Sequence, residues 1–282
     1  MSETIDRPKF REIRWGEHRE IPEQYDTVQL KMDGIWGCMK IGHGQWGIYS
    51  RTGKLKADGV LEDDTLHGVL LGEFMFGSHW GHKMGKNRNF YIFDCVELNS
   101  VDVRDMTLSS RVTFAGEIFH RLKGELDFIR LLDVYETHEW KRLWEEYIQE
   151  YGYEGLVFKD SSSKYNDKKA WARMKAVVEM DYICSGFREA DKGTKYEGMV
   201  GSVLGTLIDK DVYVTVGGIT EKERKLFTKM PEMYVGRVFT AKGNNWYPSG
   251  AIRHPQFQRW RNDKEPEECS YEQIPEGIRC LS

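Results

Sequence analysis

The chain has 282 residues, with 41 Lys and Arg against 45 Asp and Glu and a net charge of −4. This length suits one large domain or two, and 40% hydrophobic residues are enough for cores that need no disulfide or metal staples. The charge argues against a passive basic coat on nucleic acid, and no apolar run approaches the roughly 20 residues that span a membrane.

The first part of the chain alternates strand patterns with two helix patterns. The strand candidates are Val28–Met32, Trp46–Ser50, Val69–Phe74, Phe90–Phe93 and Leu156–Phe158. Apolar residues at helical spacing predict helices over Ser110–Leu122 and Glu139–Tyr151. Mixed strands and helices of this kind indicate an α+β domain.

The pattern changes near Met180. Beyond it lie short, glycine-punctuated strand candidates at Tyr182–Gly186, Gly201–Ile208, Val212–Val216 and Val238–Ala241, with one helix candidate, Glu221–Lys229. Several short strands with one helix over about a hundred residues are typical of a small β-barrel such as an OB-fold. We therefore predict two domains, residues 1–179 and residues 180–282.

A lysine stands at the end of the first strand candidate, in Lys31-Met32-Asp33-Gly34. A lysine amine is a weak nucleophile at its ordinary pKa, and an apolar or cationic surrounding is needed to activate it. Read alone, the tetrapeptide is more typical of a surface lysine before an Asp-Gly turn. Its meaning depends on the segments that accompany it further along the chain.

Six such segments occur in a fixed order. They are Ser50–Gly53, Leu71–Phe74, Phe93-Asp94, Glu154–Lys159, Trp171–Lys175 and Arg261–Lys264. With the lysine tetrapeptide, this series resembles the motifs of the covalent nucleotidyltransferase superfamily, which contains DNA ligases, RNA ligases and mRNA capping enzymes. The resemblance runs from Gln29 to Lys264, nearly the whole chain.

The resemblance implies a role for each matching residue. Lys31 would become covalently attached to AMP, with Asp33 in support, and Glu73 and Glu154 would hold Mg²⁺ or Mn²⁺. Gln29 would contact the base, and Phe93 would stack on it. Positive charge for the ribose and phosphates would come from Arg51, Arg173, Lys175, Arg261 and Lys264.

Three positions depart from the family pattern. Gln29 stands where ligases usually carry a glutamate that contacts the adenine amino group, although its side-chain oxygen can also accept a hydrogen bond. Trp36 stands where an arginine is usual. Arg173 replaces a lysine and keeps the charge with a different geometry.

The resemblance implies a compact ATP-dependent DNA ligase of the viral or phage type, with ATP as co-substrate. Its adenylation domain, 1–179, would precede an OB-fold, 180–282. His254–Lys264 is similar to the DNA ligase form of the last motif, and Gly198–Gly205 is similar to the first hairpin of ligase OB-folds. An RNA ligase, a GTP-dependent capping enzyme and a catalytically silent nucleic-acid-binding OB protein remain alternatives.

The implied partner is nicked duplex DNA, sealed in replication, repair or recombination by a monomer. Candidate DNA contacts are basic residues in two segments, Lys83, Lys86 and Arg88 in one and Lys192 and Lys195 in the other. A solvated surface would have the same composition. Five scattered cysteines without zinc spacing and a polar N-terminal sequence predict a soluble intracellular protein.

Overall fold

The computed structural model describes residues 5, 8–13, 20–75, 89–151, 153–247 and 249–274. The chain divides into two compact units, Met1–Lys175 and Ala176–Ser282. In the described part, no helix is both long enough and apolar enough to cross a membrane.

The first unit combines strands with two helices in its described residues. Its strands are β1 (Phe10–Ile13), β2 (Thr27–Lys31), β3 (Ile35–Gly42), β4 (Gln45–Ser50), β5 (Leu55–Val60), β6 (Gly68–Phe74), β7 (Phe90–Leu98), β8 (Val101–Asp102), β9 (Ile129–Leu131), β10 (Tyr135–Glu136), β11 (Gly155–Lys159) and β12 (Trp171–Lys175). Its helices are α1 (Leu108–Leu122) and α2 (Trp140–Leu143), which continues as a π-helical segment over Trp144–Glu150.

Two sheets organise this unit. One has the strand order β1-β12-β11-β2-β10, and the other has the order β5-β4-β3-β6-β7-β8 with β9 beside β7. Helix α1 packs on the second sheet, because Ala115, Ile118 and Leu122 recur at three- and four-residue spacing and are buried in its main core. The Thr107 side chain begins α1 by accepting a hydrogen bond from the Ser110 amide.

The strand register of the first sheet brings distant residues together. Strand β11 lies antiparallel to β2, so that Lys31 faces Gly155 and Gln29 faces Val157. It also lies antiparallel to β12, where Lys159 faces Trp171. Because side chains alternate between the faces of a strand, Gln29, Lys31, Lys159 and Trp171 share one face of the sheet.

In its described residues, the second unit is a five-stranded antiparallel sheet with one α-helix. Its elements are β13 (Val178–Glu189), β14 (Val200–Thr206), β15 (Tyr213–Val216), α3 (Glu221–Lys229), β16 (Val238–Gly243) and β17 (Gln256–Trp260). The strand order is β15-β14-β13-β16-β17. Phe227 of α3 inserts among the rings of Phe257 and Trp260 in the core. The mixed α+β class predicted from the sequence is confirmed.

Short 3-10 turns complete the described chain, at Thr137–Glu139, Pro231–Met233, Pro266–Glu268 and Tyr271–Gln273. The first leads directly into α2, and the last two come after β17. The predicted domain boundary at 179/180 falls inside β13, four residues after the division between the two units.

Candidate active site

Lys31 ends strand β2 as a buried residue whose amine is held by a carboxylate. Its Nζ donates to Oε2 of Glu154, and Lys175 Nζ lies 2.8 Å from Oε1 of the same side chain. Burial raises the pKa of Glu154, but the charges of Lys31 and Lys175 outweigh it and leave the pKa below its ordinary value. Glu154 is therefore ionised at neutral pH and joins the two lysines.

A close approach of two backbones at Gly155 fixes this arrangement. A Cβ on Gly155 would lie 2.0 Å from the carbonyl oxygen of Met174 and 2.9 Å from Cα of Lys175. A side chain there would push β11 away from β12 and so separate Glu154 from Lys175. Glycine is required at this position because of its size.

Gly34 makes a second close approach, next to Glu73. The Gly34 amide donates to Oε1 of Glu73 at 3.2 Å, and a Cβ on Gly34 would lie 2.6 Å from the carbonyl oxygen of Phe74. Glu73 is opposite Trp36 in the β3–β6 register, so both side chains point to the same face. Asp33, between the lysine and this turn, is half-buried.

Lys31, Trp36 and Glu73 line a cleft in the first unit. Its walls are largely apolar and aromatic, and a few polar groups converge on it, which is typical of small-molecule sites. The residues that line it are Pro8, Phe10, Gln29, Leu30, Lys31, Met32, Trp36, Glu73, Phe93, Leu132, Val157, Lys159 and Trp171. The structure thus brings Gln29, Lys31, Glu73 and Phe93 together in one cleft.

Trp36 is buried in the wall of the cleft, and its indole Nε1 has no hydrogen-bond partner among the described residues. An indole N–H is a donor only, and leaving it unpaired in the interior costs free energy. In the family that the sequence resembles, an arginine is usual at this position. This chain instead carries an apolar ring whose N–H donor is unused among the described residues.

Lys159 is the cleft residue whose importance the sequence did not reveal. Its Nζ donates to Oε1 of Gln29 and lies 3.8 Å from the ring centre of Trp171 and 5.0 Å from that of Phe93. Complete burial lowers its pKa to about 7, with Asp94 acting to raise it and Arg111 to lower it further. Its position in the Glu154–Lys159 segment, on the same strand face as Val157, is the signal that could have identified it.

Two predicted phosphate-binding residues lie away from the cleft lining. Arg51 is exposed in the turn after β4 and is not among the described residues that line the cleft. Arg173 forms an ion pair with Glu12 of β1 and is likewise outside the lining. Lys175 is present in the site only through its contact with Glu154.

The cations of the last motif belong to the second unit, where carboxylates hold them. Arg261 Nη1 and Lys264 Nζ both lie 2.9 Å from Oδ2 of Asp181, a buried residue of β13. Asp263 accepts a second contact from Arg261 at 2.8 Å. The hydrogen bond from Arg261 lowers the pKa of Asp263 to about 2, and the two carboxylates raise the pKa of Arg261.

The candidate DNA contacts are only partly described. Lys83, Lys86 and Arg88 lie outside the described residues. Lys192 and Lys195 are exposed in the segment between β13 and β14, and Lys195 Nζ lies 3.2 Å from Oε2 of Glu221. Among the described residues, no group of three or more His, Cys, Asp or Glu is arranged to hold a metal ion.

Comparison with known families and proteins shows what the chain is similar to. The family model for the ATP-dependent DNA ligase domain matches residues 75–175, which include Phe93, Glu154 and Lys175. The DNA ligase of Enterobacteria phage T3 is 24% identical over 173 residues, covering 58% of this chain and 49% of that ligase. The chain therefore spans about half the length of this curated relative.

Solved structures show a similar fold at low identity. One, from a structure–function study of Lig E DNA ligases, has a TM-score of 0.66 at 18% identity and covers 91% of this chain and 100% of that one. Another, described as Pmar-Lig_Pre., has a TM-score of 0.63 at 17% identity and covers 85% and 64%. The chain thus has the fold of these ligase structures, and its residues 75–175 match the ATP-dependent DNA ligase domain.

Proposed function

We propose that the protein is an ATP-dependent DNA ligase that seals a 3′-hydroxyl to a 5′-phosphate in nicked duplex DNA. The observation that carries this proposal is the buried Lys31 amine in the cleft, held by the carboxylate of Glu154 that also contacts Lys175. A buried lysine amine beside a second lysine suits covalent attack on phosphorus. The similarity to the ATP-dependent DNA ligase domain and to the phage ligase supplies the reaction.

The reaction has three steps. Lys31 attacks the α-phosphorus of ATP, forming an N–P bond as pyrophosphate leaves. The AMP then passes to a 5′-phosphate at the nick, and the lysine amine is released. The 3′-hydroxyl finally displaces AMP and closes the backbone. Each step is an in-line displacement at phosphorus, in which positioning and charge neutralisation lower the barrier.

An amine attacks phosphorus through its lone pair, so Lys31 reacts in its neutral form, with its proton released to solvent. Its hydrogen bond to Glu154 holds Nζ at a fixed place. Lys175, on the other oxygen of Glu154, supplies positive charge close to the developing phosphorane. Asp33 supports the site from the adjacent turn.

The adenosine of ATP would occupy the apolar part of the cleft. Phe93 offers a ring for stacking on the base, and Gln29 offers an amide for its polar edge. Glu73 would accept from the ribose hydroxyls. Arg51, exposed in its turn, would reach the nucleotide only if that turn moves inward, and Arg173 only if it leaves Glu12.

Two carboxylates fit a divalent cation, Mg²⁺ or Mn²⁺. Mg²⁺ is commonly held by one or two carboxylates together with substrate phosphates and water, so Glu73 and Glu154 suffice as protein ligands. Each Glu154 oxygen already accepts from a lysine, so a metal there would share the carboxylate with Lys31 and Lys175. Such an ion supplies Lewis-acid charge for the phosphate oxygens.

The remaining assignments rest on the family resemblance. The adenylation domain is residues 1–179, and the second domain, 180–282, is an OB-fold whose five-stranded antiparallel sheet supports this assignment. Arg261 and Lys264 would bind the departing phosphates. The enzyme acts as a monomer, with DNA contacts at the residues Lys83, Lys86, Arg88, Lys192 and Lys195.

Covalent labelling tests the proposal. The protein is incubated with α-labelled ATP, α-labelled GTP or adenylate-labelled NAD, each with Mg²⁺, and the denatured adduct is resolved. We expect labelling by ATP and none in Lys31→Met, while Lys123→Met, an exposed lysine after α1, labels normally. Labelling by GTP alone would indicate a capping enzyme, and no labelling at all would indicate a silent binding protein.

Sealing assays define the substrate. The labelled protein is mixed with nicked DNA, nicked RNA and a nicked hybrid, and the joined strand is measured. Preferential joining of nicked DNA supports the proposal. Joining of RNA alone would instead indicate an RNA ligase.

A further inference from the structure

A glutamine amide carries a hydrogen-bond acceptor on one side and a donor on the other, so its orientation decides which base edge it matches. In the family position that Gln29 occupies, a glutamate has acceptors only and needs no orientation. Adenine presents a donor at N6 beside an acceptor at N1, whereas guanine presents an acceptor at O6 beside a donor at N1. A freely turning amide would suit both bases.

Two neighbours set the orientation of the Gln29 amide. Lys159 Nζ donates to Oε1, and Nε2 donates to the backbone carbonyl of Leu132 at 3.3 Å. The Leu132 carbonyl is only an acceptor, so turning the amide over would place Oε1 against that oxygen and lose the contact, and an ammonium at Nζ could not accept from Nε2. One lone pair of Oε1 and one hydrogen of Nε2 stay available to a bound base.

The Lys159 nitrogen has two acceptors within hydrogen-bond distance among the described residues, and one of them is Gln29. Within hydrogen-bond distance among the described residues it has Gln29 Oε1 and, at 3.5 Å, the carbonyl oxygen of Phe93. Asp94, whose charge acts on Lys159, is already bound by Arg111 through contacts of 2.9 and 3.1 Å. A buried lysine without a carboxylate partner is costly to keep, and Lys159 has none among the described residues. Its amine is bonded to Gln29, the one side-chain amide among the described residues that line the cleft.

We propose that Lys159 is a positioning residue that selects adenine over guanine by holding the Gln29 amide in one orientation. This inference rests on the proposed function, because it assumes that a purine nucleotide occupies the cleft. Lys159 acts through Gln29 and through the Trp171 and Phe93 rings that support its side chain. The orientation matters here because this chain has Gln29 in place of an acceptor-only glutamate.

The experiment measures the affinities of ATP and GTP for wild type, Lys159→Met and the double variant Gln29→Glu with Lys159→Met, by calorimetry without the metal. Lys159→Met keeps the volume and removes the donor. We expect its preference for ATP over GTP to fall by about tenfold or more, the size of one mismatched hydrogen bond. In the double variant the preference returns, because a carboxylate accepts from adenine N6 in either orientation. Lys123→Met is the matched control.

An unchanged ratio in folded Lys159→Met, including an equal loss of both affinities, overturns the inference, and so does a double variant that fails to recover the preference. If Lys159→Met does not fold, Lys159→Gln takes its place, because a glutamine can offer either group to Gln29 and should relax the preference in the same way. Failure of the proposed function is seen separately, as absence of a covalent adduct in wild type while the affinity ratio is still measurable.

Discussion

Replacing Lys159 should change how the stability of the protein depends on pH. The pKa of Lys159 falls from 10.5 to about 7 on folding because the amine is completely buried. Between these values the unfolded chain holds a proton that the folded chain has lost. Raising the pH therefore favours the folded state in this window, and below pH 7 the cost of the buried charge is fully present.

The difference in bound protons between the unfolded and folded chain sets how steeply the free energy of unfolding depends on pH. One proton contributes at most about 1.4 kcal/mol per pH unit. Between pH 7.5 and 9.5, the free energy of unfolding of wild type should therefore rise by about 2–3 kcal/mol relative to that of Lys159→Met. Burial raises the pKa of Cys38 to about 11 and that of Cys95 to about 12, which opposes the trend above pH 9. That contribution is the same in both proteins and cancels in the difference.

Urea unfolding, followed by tryptophan fluorescence at half-unit steps of pH, measures this difference. Lys123→Met serves as the control, because its exposed amine should leave the pH profile parallel to that of wild type. If wild type and Lys159→Met keep a constant difference within about 0.5 kcal/mol across the window, Lys159 does not titrate as its burial requires.

Three further substitutions test the packing within each unit. Gly155→Ala should destabilise the protein by at least about 3 kcal/mol in thermal or urea unfolding, since its Cβ would overlap the Met174 carbonyl; a loss below about 1 kcal/mol would refute the close approach. Trp36→Phe should be neutral or slightly stabilising by calorimetry, because it removes a buried donor without a partner; a loss above about 2 kcal/mol would show that the indole N–H is bonded. Asp181→Asn should lower the free energy of unfolding of the second unit by about 1–3 kcal/mol, since the cations at 261 and 264 lose their shared charge; unchanged urea unfolding would contradict that role.

Local signals in the sequence predicted the helices well. Helix α3 has the predicted bounds, Glu221–Lys229, because Thr220 and Glu223 form a capping box that specifies its start. Helix α1 begins two residues earlier than predicted, at Leu108, after its Thr107 cap. The predicted helix over Glu139–Tyr151 is divided into a 3-10 turn, a short α-helix and a π-helical segment. Apolar periodicity gives the buried face but not these changes in winding.

The candidate site was predictable only in part, because its geometry depends on strand register. Lys31 and Glu154 could be paired through the family motifs, and their contact is present. The hydrogen bond from Lys159 to Gln29 joins residues 130 positions apart, and no local pattern signals it. The carboxylate that holds the last motif, Asp181, was also missed, since an isolated aspartate at the start of a strand carries no periodic signal.

The central claim is that Lys31 carries the nucleotide, and locating the modified residue tests it most directly. The protein is incubated with ATP and Mg²⁺ and digested under conditions that preserve the phosphoramidate bond. Its peptides are then sequenced by mass spectrometry. We expect AMP on the peptide that contains Lys31, at Nζ of that lysine. AMP found on Lys159, Lys175 or any other lysine, with Lys31 unmodified, would contradict it.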